Sequence, residues 1–103
     1  MKIKVNVKRD AENRFIPHLK LKDGFEMSVQ GSEFNYSHPR EMTDRYEEME
    51  IGFPTMEEPL LMEYAEDKDQ PTQTVYGYVP ADVIAKVIEK HGGIDGPEVI
   101  SYE

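Results

Sequence analysis

One segment of this chain has a convincing helical period. In PADVIAKVIEKHG, residues 80–92, the apolar side chains Val83, Ile84, Val87 and Ile88 fall at i, i+1, i+4 and i+5, a single stripe along a helix. Pro80 suits a first turn. Asp82 near the start and Lys86, Lys90 and His91 near the end lie where the helix dipole favours their charges, and Gly92 supplies a cap. Over several other segments the apolar residues recur at every second position, while 31–43 shows no clear period. That restricts the fold to a sheet with one amphipathic helix, about 80–91, packed on one face.

The period-two segments can be taken in order. Ile3, Val5 and Val7 alternate with Lys2, Lys4, Asn6 and Lys8, a half-buried strand whose lysine face suits an exposed sheet edge. Asp23-Gly24 separates two alternating arms and predicts a hairpin over 19–30, with Phe25, Met27 and Val29 inward. Pro17 weakens the start of the first arm, which begins near Phe15. A strand is expected over 46–53, with Met49, Ile51 and Phe53 on one face and Glu48 and Glu50 on the other. Leu60 and Leu61 are assigned to the core with them. Further strands are expected at 74–79 and, more briefly, at 98–102. Residues 57–65 read either as a short helix after Pro59 or as extended chain, and the extended reading is preferred. The expected architecture is α+β, a mostly antiparallel sheet of about five strands, in a single domain over 1–103.

Charge is placed unevenly. Residues 41–69 hold eleven carboxylates against Arg45 and Lys68, so this stretch alone carries the net charge of the whole chain, −9. Residues 1–22 hold seven basic groups against Asp10 and Glu12. A balance this acidic argues against direct nucleic-acid binding, which relies on Lys and Arg neutralising phosphates. It would instead steer a basic partner toward one part of the molecule. The absence of cysteine excludes disulfides and thiolate metal sites. No apolar run is long enough to span a bilayer and no secretory signal pattern is present, so the expectation is a cytoplasmic protein with no membrane partner.

No catalytic signature is present: neither G-x-S-x-G, nor a P-loop, nor HExxH. The chain is therefore read as a non-enzyme with no cofactor and no metal. An EF-hand starting at Asp67 would need glycine and glutamate where Thr72 and Tyr78 stand. His91 is read as a residue that complements the helix dipole. Two surfaces remain as candidates. The first is a carboxylate face for a basic partner: Glu47, Glu48, Glu50, Glu57, Glu58, Glu66, Asp67 and Asp69. Outward residues two apart on a strand lie roughly 6.5–7 Å apart, so Glu48 and Glu50 begin a regular row able to occupy a channel built for phosphates. The second is the irregular segment 28–40, where Ser28, Gln30, Tyr36, His38 and Arg40 combine hydrogen-bonding groups, an aromatic ring and a guanidinium suited to a nucleotide.

The segments MSVQGSEFNYSHPRE (27–41), EIGFP (50–54), EEPLLMEYAED (57–67) and TVYGYVPADVIAKVIEKHGGI (74–94), with Tyr46 between the first two, resemble a family of small, mostly uncharacterised bacteriophage and prophage proteins. The resemblance covers about 27–94 and implies a phage or mobile-element origin in a bacterial host. Small acidic phage proteins of this kind suggest anti-CRISPR or anti-restriction inhibitors that imitate nucleic acid. The partner expected is then the basic nucleic-acid-binding surface of a host effector. The alternatives are a sponge for a signalling nucleotide, with an oligomer interface, and an accessory phage protein.

Overall fold

The computed structural model describes residues 1–103. It is α+β, with seven short strands in two antiparallel sheets and one helix. The strands are β1 (Ile3–Val5), β2 (Leu19–Lys20), β3 (Glu26–Gln30), β4 (Arg45–Tyr46), β5 (Glu48–Gly52), β6 (Val75–Pro80) and β7 (Ile100–Tyr102), and the helix is α1 (Ala81–Lys90). One sheet runs β4-β1-β7 and the other β2-β3-β5-β6. Nineteen buried apolar residues form one core cluster drawn from both sheets and the helix, with Tyr46, Tyr76 and Phe25 the largest.

A single five-stranded sheet is thus corrected to two. The strand expected over 46–53 is the reason, because it is two strands separated by Glu47. Tyr46 pairs with Ile3 in the first sheet, whereas Met49 pairs with Val79 in the second. The chain changes sheets across one residue. Phe53, expected inward, takes a left-handed conformation (φ 49°) and is half exposed.

β1 is likewise not an edge strand. It lies between β4 and β7 and pairs with both, while Lys2 points out and Lys4 is half-buried. Residues 57–65 are neither a strand nor a helix of any length; they form one 3₁₀ turn, Met62–Tyr64, which buries Leu61 and leaves Leu60 exposed.

The hairpin and the helix follow their local signals. Leu19 pairs with Met27, and the Asp23 carboxylate accepts from the Phe25 N–H to close the turn, with Gly24 at φ 97°. β6 runs into α1 without a loop, Pro80 being both the last strand residue and the helix cap. The free Ala81 N–H at the helix start donates to the Glu47 carbonyl. At the other end Gly92 (φ 92°) donates to Glu89 O and Gly93 donates to Ile88 O, a Schellman closure. His91, the C-cap residue, is thereby turned back against the body of the protein. The chain then runs beside the hairpin, where Lys22 N donates to Gly93 O and Asp95 N to Lys20 O.

Candidate functional site

His91 and Glu58 form a buried ion cluster at the helix end. Phe25 stacks on the imidazole with ring centroids 4.2 Å apart and planes 22° from parallel. Nδ1 lies 2.6 Å from the Asp23 carboxylate and Nε2 lies 2.7 Å from Glu58 Oε1. The other Glu58 oxygen accepts from Lys90 Nζ and from the Leu60 N–H, both at 2.9 Å. A neutral imidazole has only one N–H, so two carboxylate partners require the imidazolium. Burial pushes the His91 pKa down, but Glu58 and Asp23 outweigh it and hold the ring above its ordinary 6.5. Burial also pushes Glu58 up, and the Leu60 N–H, Lys90 and His91 outweigh that, holding the carboxyl below 4.5.

This overturns two expectations. Glu58 is 1 % exposed, so it cannot meet a partner, and His91 does more than complement a dipole. Neither residue lines a concavity, and the cluster fastens the helix end, the hairpin turn and the segment before the 3₁₀ turn together. It also sets a pH dependence. The His91 contribution is complete below 6.5 and is lost as pH rises through its higher folded value; the Glu58 contribution is complete above 4.5 and is lost as pH falls through its lower folded value. Urea midpoints measured against pH should be highest between these limits, and His91→Gln should remove the fall on the alkaline side attributable to this ring. An alkaline limb unchanged by that substitution would show that the ring is not the imidazolium.

The segment 28–40 is consumed largely by the fold. Gln30 takes the place of a strand neighbour: its Oε1 accepts from Ile16 N at 3.0 Å and its Nε2 donates to Ile16 O at 2.7 Å. Ser28 accepts from the same amide. His38 pairs through its backbone with Glu48, its bond to Pro39 is cis, and its exposed ring lies 3.9 Å from Glu47. Arg40 stacks over Tyr36 at 5.3 Å. Of the five residues proposed for a nucleotide, only Tyr36 lines any concavity. The structure does not gather them into a pocket.

The carboxylates divide in the same way. Glu50 is half-buried and accepts from the Tyr36 N–H at 2.8 Å and more weakly from Asn35, so it positions the loop. Asp67 caps its own turn by accepting from Asp69 N. Glu57, Glu66, Asp67 and Asp69 are exposed, and Glu57 lies close enough to Tyr76 to raise its pKa behind the larger effect of burial.

Around the 3₁₀ turn a different group assembles. Tyr64 has its pKa raised first by burial and then by Glu63, Asp82 and Glu48, three carboxylates brought from the turn, the helix start and β5. Glu63, Tyr64 and Glu66 line a cleft of about 380 Å³ with Tyr36, Gly77 and Tyr78. None of Glu48, Glu63, Glu66 or Asp82 is in an ion pair.

A bulge shapes the cleft. Met49 faces Val79 and Ile51 faces Tyr76, so Glu50 opposes both Gly77 and Tyr78. Tyr78 has φ 52°, donates its N–H to Tyr36 O at 2.9 Å and is 43 % exposed. A side chain in that conformation costs roughly 1–2 kcal/mol. Tyr36 packs over Gly77, where an added Cβ would come within 3.3 Å of the Tyr36 Cβ. Glu48 and Glu66 were expected at a partner face, but Glu63, Tyr64, Tyr78 and Asp82 were not. Gly77 inside VYGYV was the available signal, since glycine in a strand interior often marks a bulge.

The largest concavity, about 490 Å³, shares no residue with this cleft; it lies between residues 4–9 and 42–44 and has Lys4, Lys8 and Arg9 in its lining. No group of three or more acidic or histidine side chains is arranged to hold a metal ion, and no helix is long and apolar enough to cross a membrane. No protein-family model, curated protein or solved structure matches the chain.

Proposed function

We propose that this protein is a non-enzymatic inhibitor that covers the basic nucleic-acid-binding surface of a host effector, in the manner of phage anti-CRISPR or anti-restriction proteins. The observation that carries the proposal is the set of unpaired carboxylates Glu48, Glu63, Glu66 and Asp82, which three separate elements bring around Tyr64. The buried carboxylate Glu58, by contrast, is neutralised inside the fold. Glu48 on β5 and Asp82 at the helix start are held by regular elements and keep their spacing when a partner approaches, so little ordering is required of these two on binding. Glu47, next to β5, is also exposed. The phage-like sequence pattern is the reason for seeking the partner among host defence proteins.

The test is competition. Purified CRISPR and restriction effectors are assayed for DNA binding with and without the protein. Inhibition of at least one effector that weakens steeply as salt rises is expected, because the contact is between opposite charges. Inhibition of none, or inhibition indifferent to salt, contradicts the proposal.

A further inference from the structure

We infer that the cleft between Tyr36, Tyr78 and the 3₁₀ turn is a receptor for a single arginine side chain presented by the protein's partner. The inference rests on the acidic-face reading above and names the group that this face grips. Three features of the cleft specify its occupant.

The first is aromatic. Tyr36 and Tyr78 lean together with centroids 5.8 Å apart and planes at 44°, and Tyr64 enters the lining from the turn. Tyrosine faces attract cations, guanidinium above all, since it stacks as well as carrying charge. The protein already uses this preference, for its own Arg40 lies over Tyr36 and Arg14 over Phe34.

The second is electrostatic. Glu63 and Glu66 stand at the cleft without a cation, and Asp82 and Glu48 add to the same field. Arg40 lies over Tyr36 and not in an ion pair with these carboxylates, so they would repel an anionic ligand, and a neutral one would leave them unanswered. A guanidinium offers a planar fork of donors to a carboxylate while its face lies on a ring. The cleft volume, about 380 Å³, falls at the small end of the roughly 300–1,000 Å³ usual for ligand sites, as suits one side chain.

The third is the backbone. Tyr78 is held at φ 52° by the bulge and by its bond to Tyr36 O, in a conformation that glycine would adopt without cost. Tyr78 is exposed, and it lines the cleft with its ring beside that of Tyr36.

The experiment follows the Gly77 and Tyr78 amide resonances of the full chain as a blocked Gly-Arg-Gly peptide is added at low salt. Saturable shifts at both are expected. The same peptide with citrulline, which keeps the shape and lacks the charge, should bind at least about tenfold more weakly. Tyr78→Gly keeps the backbone conformation, so its melting temperature should match the parent within the spread of surface substitutions, and its affinity for the arginine peptide should fall about tenfold or more. Glu63→Gln with Glu66→Gln should do likewise.

Equal binding of the citrulline peptide, undiminished binding by Tyr78→Gly, or a lysine peptide binding as well as the arginine one overturns the assignment. If that happens while salt-sensitive inhibition of an effector persists, the arginine receptor is wrong and the acidic-face reading stands. If the peptide binds as described but no effector is inhibited, the reverse holds.

Discussion

Replacing Glu58 with alanine should cost about 3–5 kcal/mol of stability, more than any substitution on the carboxylate face. Glu58 is 1 % exposed and its two oxygens satisfy Lys90, His91 and the Leu60 N–H. Its removal leaves a buried imidazolium with Asp23 as sole partner and unties the 3₁₀ segment from the helix end. In a domain of this size the melting temperature should fall by at least about 12 °C. Glu58→Gln should fall between parent and alanine, since an amide can still accept from Leu60 but lacks the charge. Glu58→Leu combined with His91→Phe should recover part of the loss, because most of the cost lies in the charge left unpaired. Thermal melts of the four proteins check this. A Glu58→Ala melt within a few degrees of the parent would contradict the cluster as described.

The second large effect is expected at Arg9. Its guanidinium donates to Gly31 O and Thr43 O at 2.6 Å each, to Tyr46 Oη at 2.9 Å and to Arg14 O at 3.4 Å. No carboxylate pairs with it; the charge is satisfied by backbone carbonyls from three separate segments and by a phenol that is itself fully buried. The Tyr46 hydroxyl also accepts from Thr43 N and lies within hydrogen-bond distance of Glu41 O and Gly31 O. Gly31 sits so close to this ring that a Cβ there would lie 2.6 Å from it. Arg9→Ala should therefore destabilise by about 2–4 kcal/mol, since hydrogen bonds to charged groups contribute more than neutral ones and several carbonyls lose their donor at once. Arg9→Lys should recover less than half of that, because an ammonium cannot span both sides of the fork. Urea unfolding of the two variants checks both numbers, and full recovery by lysine would show that charge alone matters here.

Both sites lie outside what a single sequence discloses, and the reason is the same. Glu58 and His91 are far apart along the chain, as are Arg9 and Tyr46, and nothing near any of these residues announces its partner. The helix over 80–91 and the hairpin at Asp23-Gly24 were legible because their signals are local: an apolar stripe, a proline, a glycine cap, a two-residue turn. The alternation over 46–53 was also real, but period two does not say which sheet a strand joins, and one residue, Glu47, was enough to divide it. The lysines of β1 suggested an edge, yet a three-stranded sheet leaves even its central strand's outer face in solvent.

For the site, the density of acid between 41 and 69 did not separate the carboxylates that build the fold from those left unpaired. Glu50 and Glu58 were spent internally; Asp82, outside that stretch, joins Glu48, Glu63 and Glu66 only through the passage of β6 directly into α1.

The most direct test of the carboxylate face compares two variants of equal net charge in the effector–DNA competition. One carries Glu48→Gln, Glu63→Gln, Glu66→Gln and Asp82→Asn; the other carries Glu12→Gln, Glu89→Gln, Asp95→Asn and Glu98→Gln, exposed positions outside the cleft. The first should raise the inhibition constant at least about tenfold, and the second should leave it within about twofold of the parent. Equal losses in both would mean that total charge, and not this face, is what the effector meets.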